Sequence, residues 1–247
     1  MAILVGTSGW QYEDWRGSFY PQDLPKRAWL AHLAKRLPTV EVNSSFYRLP
    51  PSGVFRSWRE QTPDGFVVAV KASRYITHVR RLRECRDPLA LLWSRVQELG
   101  PRLGPVLFQL PPRFPAAPGR LRDFLAVVPP RMRAAFEFRD PSWVNEEVLA
   151  LLDEAGAAFV LADRPGARVP DLVTGGWSYV RFHQGRCDGP DYPREKLRRW
   201  ARRISALSAR EVLAYFNNDA GGAAVRDALT LTELLSGARK DGSLRTR

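Results

Sequence analysis

Residues 26–43, KRAWLAHLAKRLPTVEVN, hold a helix, a one-residue break and a strand. The helix is read over Lys26–Leu37. Pro25 suits its first turn, where a fixed φ and a missing N–H cost nothing. Pro38 ends it, and the strand is Thr39–Asn43. Along that strand Val40 and Val42 share one face, while Glu41 and Asn43 share the other. The same unit recurs in both directions. A strand at Ile3–Thr7 precedes it. After it come strands at Phe66–Lys71, Val106–Gln109, Ala134–Phe138, Ala158–Ala162, Ser178–His183 and Glu211–Phe216. Helices are read at Val54–Gln61, Leu89–Leu99, Arg120–Val127, Glu146–Ala155, Pro193–Leu207 and Ala223–Leu235, with a weak or missing one after the sixth strand.

Strands alternating with helices imply a parallel sheet, and eight units in this length imply closure. The expected fold is α/β, a single (β/α)8 TIM barrel over residues 1–235, with a basic tail at 236–247 read as disordered. A doubly wound open sheet is the alternative. It would carry a G-x-G-x-x-G turn after the first strand, and Gly6-Thr7-Ser8-Gly9-Trp10 does not match.

Loop lengths place the site. Helix-to-strand connections are short turns such as Pro63-Asp64-Gly65 and Pro129-Pro130. Strand-to-helix connections are long, at Ser8–Leu24, Ser44–Gly53, Ala72–Pro88, Asp163–Gly176 and Gln184–Tyr192. Long loops gathered at the C-terminal ends of barrel strands mark the active-site face. They hold many aromatics, Trp10, Tyr12, Trp15, Tyr47 and Trp143 among them. Such rings stack a sugar or base, or pin the loops to the barrel; the second role is the preferred one.

Strand parity then sorts the polar residues. Apolar positions must pack beneath the helices, so the opposite set points into the barrel. That set is Glu41 and Asn43; Lys71 and Ser73; Glu137 and Arg139; Tyr179, Arg181 and His183; Tyr215 and Asn217. Ser8, Gln109 and Asp163 are read on the same parity, so that every strand supplies a polar group to the mouth. Barrel interiors usually fill with branched apolar side chains, and charges there demand partners. The candidate catalytic groups are therefore Glu41, Lys71, Glu137, Arg181 and His183. Glu137 or Glu41 would be the general base, Lys71 a proton donor, carbonyl polariser or Schiff-base amine, and Arg181 the holder of an anion. The candidate binding groups are Trp10, Tyr12, Asn43, Tyr47, Arg74, His78, Gln109, Arg139, Trp143, Asp163, Tyr215, Asn217 and Asn218. The competing reading is a self-neutralising ion-pair plug. Asn218 or Asp219 is read as the N-cap of the last helix, in preference to a phosphate site at that helix start.

No cofactor is expected. Glu41, Glu137, Asp163 and His183 form a carboxylate-rich set for a divalent metal, but the chain has no H-x-H or H-E-x-x-H spacing and its basic residues already balance the acids. Lys+Arg is 38 against Asp+Glu 26, a net charge of +12. That excess attracts phosphate-rich partners, or reflects Arg-heavy usage, since lysine occurs only at Lys26, Lys35, Lys71, Lys196 and Lys240. The expected partner is a small anionic or polyhydroxylated ligand, with nucleic acid as the alternative. Cys85 and Cys187 form no metal or disulfide pattern. No apolar run approaches the roughly 20 residues of a membrane helix, and no signal peptide is read; together these suit a cytoplasmic protein.

Several motifs resemble one family. Gly6-Thr7-Ser8-Gly9-Trp10 with Tyr12 and Trp15, and Glu41-Val42-Asn43-Ser44-Ser45-Phe46-Tyr47, match the opening of the YecE-like family (domain of unknown function 72). So do Val70-Lys71-Ala72-Ser73-Arg74 with Thr77-His78, Phe108-Gln109-Leu110-Pro111-Pro112, Glu137-Phe138-Arg139 with Ser142-Trp143, Val180-Arg181-Phe182-His183 and Tyr215-Phe216-Asn217-Asn218-Asp219. The match runs in order from Ile3 to Leu235. Gln184 departs from it, standing where the family pattern often reads His-Gly directly. The resemblance implies a (β/α)8 barrel and no particular activity. That barrel is similar to those of divalent-metal sugar isomerases and apurinic endonucleases, a likeness of fold only.

Overall fold

Parity closes the sheet as expected. The computed structural model of the chain describes residues 1–166, 170–183 and 189–240. Eight strands pair in parallel around a closed barrel in chain order: β1 (Ala2–Ser8), β2 (Thr39–Val42), β3 (Val67–Lys71), β4 (Leu103–Gln109), β5 (Ala134–Glu137), β6 (Ala158–Asp163), β7 (Ser178–Phe182) and β8 (Glu211–Phe216). The helices outside are α1 (Trp29–Ala34), α2 (Ser52–Glu60), α3 (Arg86–Val96), α4 (Pro118–Leu125), α5 (Glu146–Glu154), α6 (Arg194–Ala206) and α7 (Ala223–Lys240). Among the described residues no helix lies between β6 and β7.

Local chemistry sets the helix ends and faces. Asn145 caps α5, its side chain accepting from Val148 N–H at 3.0 Å. On α6, Leu197, Trp200, Ala201 and Ile204 are buried at i, i+3, i+4 and i+7, so one apolar stripe meets the barrel. Ser236 Oγ donates to Thr232 O at 2.9 Å, and α7 continues to Lys240, five residues beyond Leu235, where the sequence reading ends it. Residues 241–247 of the expected tail lie outside the described residues.

The barrel holds two distinct apolar layers. Beneath the helices lie Val40, Val42, Val68, Val70, Phe108, Phe136, Val180, Phe182 and Phe216. Inside lie Ala69, Leu107, Ala135, Ala158, Val160, Ala162, Tyr179, Leu213 and Tyr215. The interior alanines make room for two tyrosine rings, 5.0 Å apart. Gly6 sits opposite Tyr215, and a methyl there would collide with the Thr39 carbonyl.

β6 corrects the parity reading. Its small residues Ala158, Val160 and Ala162 face inward and Phe159 and Leu161 outward, so Asp163 is also turned outward, where it meets Lys196 of α6 at 2.8 Å. The strand is apolar on both faces, and bulk decides which face meets the helices. The next inward parity after Ala162 falls on Arg164.

Candidate active site

The upper mouth is built around one guanidinium. Arg181 is fully buried, and β7 lifts it between β2 and β5. One terminal nitrogen donates to Glu41 Oε1 at 2.8 Å, the other to Glu137 Oε2 at 2.7 Å. Glu41 also accepts from the Tyr179 hydroxyl at 2.6 Å and from the Ser8 hydroxyl. Glu137 Oε1 accepts from Arg139 at 2.8 Å and His183 Nε2 at 3.2 Å. Burial alone would raise the Glu137 carboxyl. The Arg181, His183 and Arg139 charges and hydrogen bonds outweigh it and hold the group well below the usual carboxylate range. For Arg181 burial opposes the charge, and the two carboxylates drive its pKa upward nonetheless.

Both terminal nitrogens of Arg181 are committed to protein carboxylates, while its buried Nε–H reaches no acceptor among the described residues. Glu41 and Glu137 are each surrounded by protein donors. The three form an ion-pair plug across the upper barrel.

The groups that face outward lie above it. Lys71 at the end of β3 is 8% exposed, and its Nζ lies 4.4 Å from the centroid of the Phe46 ring. It makes no hydrogen bond or ion pair among the described residues. Burial and then Arg181 lower its pKa to about 8, against the pull of Glu41 and Glu137. Around it stand Asn43 and Asn217, joined at 2.9 Å, and Gln109, which accepts from Arg181 at 3.4 Å. His78 packs edge-on to Phe46 at 5.0 Å and pairs with Thr77 Oγ1 at 2.9 Å. It shares the Phe46 ring with Lys71, and burial first and Lys71 second lower its pKa. His183 is lowered by burial, its bond to Glu137 opposing. Tyr12 donates to Ser8 O at 2.8 Å, and burial raises its hydroxyl.

Other expected binding residues lie elsewhere. Trp143 is fully buried, stacked on Phe138 at 4.5 Å with its N–H on Phe114 O. Trp10 packs edge-on to Trp58 at 5.2 Å. Both rings pin loops, as large apolar surfaces do when a core is within reach. Tyr215 lies below the ring, bonded to Thr39 at 2.7 Å. Asn218 turns away to Asp227 and Pro190 O. Neither Asn218 nor Asp219 caps α7 through its side chain. The Asp14 carboxylate, from the β1 loop, accepts from Gly221 N–H at 2.6 Å instead. Arg74 and Tyr47 are exposed on the rim. Gln184 and Cys187 lie outside the described residues.

Two contributors escaped the sequence reading. Tyr179 has the right parity, but its bond to Glu41 spans 138 residues of sequence and depends on barrel stagger. Arg164 was hidden by the misread face of β6. Among the described residues no three His, Cys, Asp or Glu side chains come together to hold a metal, and no helix is long and apolar enough to cross a membrane.

The sequence model of the family described as protein of unknown function DUF72 matches residues 4–246. The chain belongs to the DUF72 family. It is 27% identical to UPF0759 protein YunF of Bacillus subtilis (strain 168) over 273 residues, covering 94% of each chain. It is 35% identical to UPF0759 protein YecE of Escherichia coli (strain K12) over 142 residues, which is 57% of this chain and 50% of that one. A crystal structure of a DUF72 family protein from Thermotoga maritima MSB8 superposes with a TM-score of 0.86 at 27% identity, covering 96% of this chain and 100% of that one. The motifs named above are therefore those of a DUF72 member.

Proposed function

We propose that this DUF72 protein is an enzyme that moves a proton on a small anionic or sugar-like carbonyl compound held in the barrel mouth, with Lys71 as the acid–base group. The observation that carries the reading is Lys71 itself: an amine at the active-site face, without a carboxylate partner, whose pKa of about 8 lets it take and give protons near neutral pH. Natural proteins rarely bury an unpaired cation without a use for it. The amides of Asn43, Asn217 and Gln109 supply donors for the charge that develops on a carbonyl oxygen. The plug beneath has all its acids paired, so it fixes geometry and adds little net charge.

The test is carbon–hydrogen exchange in D2O, followed by proton NMR, on a panel of 2-oxo acids and aldose and ketose phosphates. The wild type is expected to exchange a proton beside the carbonyl of at least one compound. Lys71→Met is expected to slow that exchange by roughly 100-fold or more. An unchanged rate in that variant, or no exchange across the panel, refutes the reading.

A second reading rests on a separate surface. The Arg81 and Arg120 guanidiniums flank the Phe114 ring at 5.6 and 5.2 Å, beside a hollow of about 420 Å³ that Arg83 also lines. Aromatic and cationic groups so interleaved suit a nucleic-acid strand. DNA binding that falls steeply with salt and weakens in Arg81→Gln would favour it; binding indifferent to that change would remove it.

A further inference from the structure

Beside the mouth, between the ends of β5 and β6, lies a cleft of about 360 Å³. Phe138, Phe159, Val160 and Ala162 line it, together with Arg139 and Arg164. Val160 and Ala162 belong to the barrel interior, so the cleft meets the mouth where β6 offers only small apolar side chains. The two arginines are incompletely satisfied. Arg139 spends a terminal nitrogen on Glu137 and makes a long contact with His183 at 3.5 Å. Arg164 makes one long hydrogen bond, to Phe138 O at 3.4 Å. The Nε–H of each is buried and reaches no acceptor among the described residues. Burial lowers the Arg139 pKa, and the Arg164 charge adds to that effect, so the two cations repel one another. Two adjacent guanidiniums with donors to spare match the oxygens of a phosphate.

The charge balance narrows the ligand. Among the described residues of the mouth and cleft, Arg139, Arg164, Arg181 and Lys71 outnumber Glu41 and Glu137 by two. Asp163 is cancelled by Lys196 outside the barrel. The Asp140 carboxylate on the cleft rim is turned to the Ser142 N–H at 3.1 Å and Oγ at 2.7 Å. The usual phosphate position in such barrels, after the last strands, is taken here, because the Asp14 carboxylate occupies the donor at Gly221.

We infer that the Arg139–Arg164 cleft is a phosphate-monoester subsite, which holds the anionic end of the substrate while its carbonyl end reaches Lys71. The second half of that statement rests on the proton-transfer reading; the subsite itself does not. The apolar floor of Phe138 and Phe159 takes the carbon skeleton, and the guanidiniums take the dianion.

The experiment is a calorimetric titration with inorganic phosphate, methyl phosphate, dimethyl phosphate and acetate at fixed ionic strength. It uses the wild type and the Arg164→Gln, Arg139→Gln and Lys71→Met variants. Methyl phosphate is expected to bind the wild type more tightly than acetate or dimethyl phosphate. Arg164→Gln is expected to weaken it roughly tenfold or more, the share of a charge-assisted hydrogen bond. Lys71→Met is expected to weaken it less than Arg164→Gln does, since the amine does not line the cleft. Wild-type affinity in Arg164→Gln, or no binding of either monoanion or dianion, overturns the subsite. Preference for dimethyl phosphate overturns the monoester assignment. Phosphate binding that survives while carbon–hydrogen exchange is absent leaves the subsite standing and removes only the role given to Lys71.

Discussion

The plug and the rim above it contain the same residue types and behave in opposite ways. In the plug, Arg181 has two carboxylates within 2.8 Å, and those carboxylates collect further donors from Ser8, Tyr179, Arg139 and His183. On the rim, among the described residues, Arg139 alone of Lys71, Arg139 and Arg164 reaches a carboxylate oxygen. Depth does not separate the two, since Lys71 is nearly as buried as Arg181. What separates them is pairing. Arg181 has both terminal nitrogens matched to carboxylates, while Lys71 has no carboxylate partner among the described residues.

The comparison breaks most visibly at Arg181. Replacing it with Met leaves Glu41 and Glu137 buried without the guanidinium that pairs them. Removing one partner of a buried ion pair costs about 3–5 kcal/mol. Urea denaturation at pH 7 should show a loss of that size or a variant that does not fold. The pH dependence has a definite sign. Glu137 titrates lower in the folded protein than in the unfolded chain, so its stabilisation is present at neutral pH and is lost as pH falls below the ordinary carboxylate range. The gap between wild type and variant should therefore narrow below about pH 4. A loss under about 1 kcal/mol at pH 7 would mean that the plug contributes little.

Lys71→Met should move stability the other way. The amine titrates near 8 when folded and near 10.5 when unfolded. Between those values the unfolded chain binds the extra proton, so this group's contribution rises with pH and is most unfavourable below about pH 8. The variant should thus be more stable than wild type at pH 7, by roughly 1–2 kcal/mol, with the advantage gone by about pH 10. A variant less stable than wild type at pH 7 would make Lys71 part of the plug.

Much of this contrast is written in strand parity. The Val40–Val42 and Val180–Phe182 pairs leave no doubt about which face is wet, so Glu41, Asn43, Arg181 and His183 could be placed on the mouth from sequence. Parity says nothing about stagger. Tyr179 could not be matched to Glu41, nor Trp15 N–H to the Asp219 carbonyl 204 residues away, because both depend on how eight strands close. Parity also fails where both faces are apolar. Phe159 and Leu161 against Val160 and Ala162 is a choice made by size, and misreading it exchanged Asp163 for Arg164. The pairing was less legible than the positions, since the donors gathered around each carboxylate depend on that same closure.

The smallest effect tests the opposite edge of the mouth, where β8 ends. Asp227 is buried, and accepts from Tyr192 N–H at 3.0 Å and Asn218 Nδ2 at 2.7 Å. Burial pushes its pKa up to about 6, with those two bonds opposing. A carboxyl raised from 3.8 to about 6 binds its proton more tightly when folded. Its favourable contribution is complete below about pH 4 and is lost as pH rises through 6. Asp227→Asn keeps an oxygen to accept those bonds and carries no charge at any pH. Its stability relative to wild type should therefore rise between about pH 4 and pH 6 and then level off, by 1 kcal/mol or so after discounting for partial solvation. Thermal unfolding of both proteins across that range measures it. A flat difference would mean that the Asp227 charge is as well satisfied as those of the plug, and that the under-paired region stops at Lys71, Arg139 and Arg164.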